Sequence, residues 1–120
     1  MNAKTRDLRR YEGLREIGCL ACLIDGLPMP CGPVEVHHLV DNGYRRLSGG
    51  NQATIPLGAY HHRGQPLIDK DIRYMRERFG PSMALERREF DKVYGSQRDL
   101  LARVNEMLRS GTGERNEKDI

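Results

Sequence analysis

The four histidines of this chain fall into two adjacent pairs, His37-His38 and His61-His62, and two of its three cysteines form Cys19-x-x-Cys22. Any fold available to these 120 residues has to account for that grouping of soft and borderline ligands. A Cys-x-x-Cys places two thiolates on one tight turn, at the separation of two corners of a tetrahedron around zinc. Cys31 lies in a Gly- and Pro-rich stretch, Asp25 to Pro33, that can fold back and offer a third thiolate.

Other uses of the cysteines fit less well. An odd number of cysteines argues against a disulfide framework, and a redox pair would need a βαβ context that the sequence lacks. The apolar content is 38%, with no Trp and two Phe, which is thin for a fold held by burial alone. A structural metal compensates, because its binding free energy adds to folding. No apolar run approaches the roughly 18–20 residues of a membrane span, and residues 1–10 are polar, so we expect a cytoplasmic, non-membrane protein. The net charge of +3 favours an anionic partner weakly.

The chain reads as a single domain over residues 1–110 with a disordered tail at 111–120. Leu8, Tyr11, Leu14 and Ile17 give one apolar face to a helix over 5–17, with Thr5 or Asp7 as its cap. Residues 34–40 read as a strand, 41–52 as a loop, and 54–57 as a second extended segment that Pro56 places at an edge or an end. A short helix carries His61 and His62 until Gly64 and Pro66 stop it. Beyond it lie helical stripes: Ile68, Ile72, Met75 and Phe79; then Met83, Phe90 and Val93 after a Ser82 cap; then Leu100, Val104, Met107 and Leu108. This is an α+β pattern, with a core at 19–66 and C-terminal helices at 67–109.

Adjacency separates the members of each histidine pair. Neighbours on a helix project about 100° apart, so His61 and His62 do not easily bind one ion. His61, starting the helix, is the supplier of a fourth zinc ligand beside Cys19, Cys22 and Cys31. On a strand, His37 and His38 point to opposite faces, so one can hold a metal while its neighbour acts on water.

A strand ending in His37-His38, a loop, Asn51, a second extended segment and a helix carrying His62 resembles the HNH nucleases, whose active site is the ββα-metal motif. The resemblance implies that His37 and His62 bind a catalytic Mg²⁺, Mn²⁺ or Zn²⁺. It implies that His38 is the general base, that Asn51 braces the loop, and that cysteines form a zinc knuckle. Where such helices commonly carry a second Cys-x-x-Cys, this chain has Gly58 and His61. Cys19-x-x-Cys22, Val36-His37-His38, Thr54-Ile55-Pro56-Leu57, His61-His62 and Phe90-x-x-x-Tyr94-Gly95-Ser96 together resemble a narrower group, the phage recombination-enhancing, RecA-dependent (Ref-like) nucleases. That implies a phage or prophage DNA endonuclease linked to recombination, with DNA and RecA-coated single-stranded DNA as partners.

Arg45, Arg46 and Arg63 flank the doublets and are expected on the DNA backbone. Asp69 and Asp71 read as helix caps rather than ligands, and the later arginines, interleaved with acids, as a solvated face. The rival readings are a non-catalytic zinc-stabilised DNA-binding or adaptor module, and a two-zinc structural module using all seven Cys and His residues.

Overall fold

A computed structural model describes residues 2–27, 29–39 and 50–119, with side chains as far as Ser110. Arg45 and Arg46 lie outside the described residues.

Helix α1 (Ala3–Ile17) is capped by Asn2, whose side chain accepts from Thr5 N at 2.8 Å. Neither Thr5 nor Asp7 is the cap, and Asp7 is left free to reach elsewhere. Leu14 is fully buried and Tyr11 and Ile17 pack partly against the core, but Leu8 is exposed, at the far end of the expected face. After Gly18, Cys19 starts α2 (Leu20–Asp25). The Cys-x-x-Cys is thus wound into the first turn of a helix, which sets both thiols on one side of it.

Strand β1 (Val34–His38) pairs antiparallel with β2 (Thr54–Gly58), with Glu35 opposite Leu57, His37 opposite Ile55 and His38 opposite Thr54. Pro56 sits opposite Val36. Each strand of a two-stranded sheet is an edge, so the missing Pro56 N–H costs no central ladder bond. β2 is buried along its whole length and β1 only partly. Helix α3 (Ala59–Arg63) follows β2 directly and stops at Gly64, whose φ of +76° suits a residue without Cβ.

Three further helices cover this β1–β2–α3 unit: α4 (Ile72–Phe79), α5 (Arg87–Tyr94) and α6 (Gln97–Asp119). Asp71 caps α4 by accepting from Tyr74 N at 2.8 Å, as its position in the sequence suggests. Met75, Phe79, Met83 and Phe90 are buried, whereas Ile68, Ile72 and Val93 are exposed. Ile68 precedes the helix it was assigned to and so has no packed face. Ser82 accepts from Leu85 N in the turn before α5, which Glu86 begins. Ser96 caps α6, and Leu100 and Val104 bury against α1 and β2 with Met107 and Leu108 packed beside them. The backbone of α6 is helical to Asp119, past Gly111, where the composition pointed to a tail.

Three arginines of α4 and α5 pair with acids, Arg73 with Glu77, Arg76 with Glu86 and Arg87 with Asp91, consistent with a solvated face.

Candidate functional site

Cys19, Cys22, Cys31 and His61 converge in the interior, their ligand atoms all within 4.8 Å of one another. His61 Nδ1 lies 3.3, 3.7 and 3.0 Å from the Sγ atoms of Cys19, Cys22 and Cys31, and Cys31 Sγ lies 3.8 Å from Cys19 Sγ. Zinc–sulfur bonds of about 2.3 Å give tetrahedral edges near 3.8 Å, so the spacing fits one zinc ion. The His61 ring donates from Nε2 to Phe79 O at 2.8 Å, which turns Nδ1 toward the thiols.

The electrostatics point the same way. Burial pushes the His61 imidazole down, but the Cys19 and Cys31 thiols outweigh it and raise it to about 10. Contacts with Cys22 and Cys31 draw the Cys19 thiol well below its ordinary range. Thiolate character of this kind is what a zinc ion requires of a cysteine ligand. The four residues could hold a zinc ion, and the group matches the ligand set read from the sequence.

The cluster explains two other sequence features. A Cβ on Gly58 would lie 2.5 Å from Cys31 Sγ, so a side chain at that position would displace a ligand. Phe90 and Tyr94, one helical turn apart on α5, pack their rings on His61 at centroid distances of 6.3 and 5.5 Å. The Tyr94 hydroxyl donates to Asp25 at 2.6 Å and lies 3.0 Å from the same Phe79 carbonyl that His61 uses.

A second grouping sits at the surface end of the sheet. His37 Nδ1 and His62 Nε2 are 3.3 Å apart. His62 donates from Nδ1 to Glu35 Oε1 at 2.8 Å. Glu35 and His37 alternate along β1 and therefore share a face. Arg63 grips the Glu35 carboxylate through Nε (2.8 and 3.0 Å) and a terminal nitrogen (2.6 Å). These bonds, with that from His62, hold the carboxyl down at about 2 despite some desolvation. Burial pushes the His37 imidazole below its ordinary range, against the pull of its hydrogen bond with Gln97.

On its other side His37 Nε2 meets Gln97 at the start of α6. In the orientation that satisfies both ends, the Gln97 amide donates to His37 Nε2 at 3.2 Å and accepts from Arg87 at 2.8 and 3.1 Å. Arg87, Gln97, His37, His62, Glu35 and Arg63 then form one continuous hydrogen-bonded chain.

His38 ends β1, and its Nε2 lies 2.9 Å from Asn51 Oδ1. Asn51 donates in turn to Asp7 Oδ2 at 3.0 Å. The sequence reading missed Asp7, Glu35 and Gln97. Polar residues of those types occur throughout the chain, and nothing local distinguishes them; only the pairing of distant segments does. Among the described residues no helix is long and apolar enough to cross a membrane.

The family model for recombination-enhancement, RecA-dependent nucleases matches residues 3–109. No curated protein and no solved structure matches the chain.

Proposed function

The chain belongs to the family of recombination-enhancement, RecA-dependent nucleases, and on that premise we propose that it is a metal-dependent HNH endonuclease that hydrolyses DNA phosphodiester bonds. One observation carries the reading: His37 on β1 and His62 on α3 bring ring nitrogens to 3.3 Å from each other, the separation of two ligands on one ion. The order β1, β2, α3 around that pair supports a ββα-metal core. The buried Cys₃His group serves as a structural zinc site apart from the chemistry.

In this reading His37 and His62 would hold a divalent ion, which when bound would supply charge relief to the phosphate and to the leaving 3′-oxygen. Two protein ligands leave room for water and phosphate. For both nitrogens to ligate, His37 would carry its proton on Nε2 and give it to Gln97 Oε1 at 3.2 Å, and the Arg87 guanidinium would have to release the Gln97 amide. Glu35, accepting from His62 Nδ1, keeps the His62 Nε2 lone pair directed at the ion. His38, its Nε2–H given to Asn51 Oδ1, presents Nδ1 as the base that takes a proton from attacking water. Arg63, occupied by Glu35 but half exposed, orders this edge of the site and keeps one side of its guanidinium for a phosphate. Arg45 and Arg46 are proposed as further backbone contacts. The partners we propose are DNA and RecA-coated single-stranded DNA, and the setting a phage or prophage in a bacterial cytoplasm.

The test is plasmid nicking with Mg²⁺ or Mn²⁺, with and without RecA filaments, comparing wild type with His38→Ala. Loss of a positioned general base lowers rates by about 10²–10⁴-fold, and we expect that loss with DNA binding retained. A wild-type protein inert with every divalent ion and with RecA would instead make the chain a non-catalytic zinc-stabilised adaptor.

A further inference from the structure

We infer that Asp7, reaching from α1 to the loop before β2, is a positioning residue that fixes the ring tautomer of His38 through Asn51. Its catalytic meaning rests on the nuclease reading above, but the tautomer does not.

The argument begins with the ambiguity of an amide. Asn51 can offer His38 either its oxygen or its NH₂, and the two choices place the His38 proton on different ring nitrogens. A carboxylate accepts hydrogen bonds and donates none. With Asp7 Oδ2 3.0 Å from Asn51 Nδ2, the amide has its NH₂ committed and its oxygen turned to His38 Nε2 at 2.9 Å. His38 must then carry its proton on Nε2 and keep a lone pair on Nδ1. Gln52 Nε2 donates to the other Asp7 oxygen at 2.8 Å, so the carboxylate is held from both sides. The Gln52 and Asn51 donors also keep the Asp7 carboxyl below its usual range.

Further hydrogen bonds tie this relay to the sheet and to α6. One turn along α1, Arg10 donates to Thr54 Oγ1 and Thr54 O, both at 2.7 Å, and to Asn105 Oδ1 on α6 at 2.9 Å. Thr54 Oγ1 donates back to Asn51 O at 3.2 Å. Helix α1 is thereby fastened to β2 next to the residue that faces His38.

The experiment is ¹⁵N NMR of the His38 ring in the zinc-bound, full-length protein, without added Mg²⁺ or Mn²⁺. Wild type is expected to show Nε2–H as the dominant neutral form. Asp7→Ala, a half-buried helix substitution outside the hydrophobic core, should give a mixture of the two tautomers. Gln52→Ala, which removes only the flanking donor, should leave Nε2–H dominant. An unchanged tautomer in Asp7→Ala overturns the inference, as does an equal shift in Gln52→Ala, which would mean mere loosening of the loop. Should the wild type nick DNA, Asp7→Ala should lower kcat about 10-fold with KM for DNA unchanged. A tautomer shift in a protein that never nicks would keep the relay and reject the nuclease reading.

Discussion

His61 and His62 are consecutive residues on one five-residue helix, yet they belong to opposite kinds of environment. His61 is fully buried, ringed by three thiols, four aromatic rings and a backbone carbonyl. His62 is partly open, and its neighbours are a histidine, a carboxylate and, through that carboxylate, an arginine. A closed set of four ligands leaves an ion nothing to do but hold the fold. An open pair of nitrogens leaves positions for water and substrate. The difference teaches that a helical step of about 100° suffices to place one histidine in a closed, buried ligand set and its neighbour in an open, polar one.

Removing a ligand from the buried group should have the largest effect. Structural zinc in small domains contributes about 10–16 kcal/mol of apparent binding free energy, comparable to or larger than the stability of a typical domain. Cys22→Ser, or prolonged exposure to a strong chelator, should therefore abolish the cooperative thermal transition followed by circular dichroism. A chelated, metal-free protein that still melts cooperatively at the original temperature would break the contrast between the two regions.

A smaller effect, confined to the open region, is expected for Glu35→Gln. His62 then loses the anionic acceptor at Nδ1, and Mn²⁺ binding measured by calorimetry should weaken by about 10–100-fold. Zinc content and melting temperature should stay close to wild type, since the pair lies outside the buried cluster. Loss of zinc in this variant would show that the regions are coupled.

The smallest effect sharpens the buried side. Tyr94→Phe removes the hydroxyl that donates to Asp25 beside Phe79 O while keeping the ring on His61. Chemical denaturation should report a loss of about 1–2 kcal/mol, with zinc retained and nicking activity unchanged.

The buried group was the most legible part of the chain. Cys19, Cys22 and Cys31 are rare residues at ligand spacing; helical geometry separated His61 from His62, and the place of His61 at the start of the helix selected it. Strand and helix positions near the site were legible too, because the run 34–40 is bounded by turn residues and Gly64 ends α3, although β1 stops at His38. Helix faces were less so: Leu8, Ile68 and Val93 match the apolar period yet are exposed, because periodicity does not tell where a neighbouring element ends. The residues around the open pair were not legible. Asp7 meets Asn51 across 44 positions, Glu35 meets His62 across 27, and Gln97 meets His37 across 60.

By itself, then, the sequence determined which side chains can bind metal, and how consecutive histidines must diverge, since both follow from residue chemistry and the local geometry of helix and strand. Only the tertiary structure decided which carboxylates and amides orient them. Those partners are common residue types whose meaning comes from antiparallel pairing of β1 with β2, and from α1 and α6 packing over it. Hydrogen-bond direction is set by contacts between distant segments, and no local pattern encodes it.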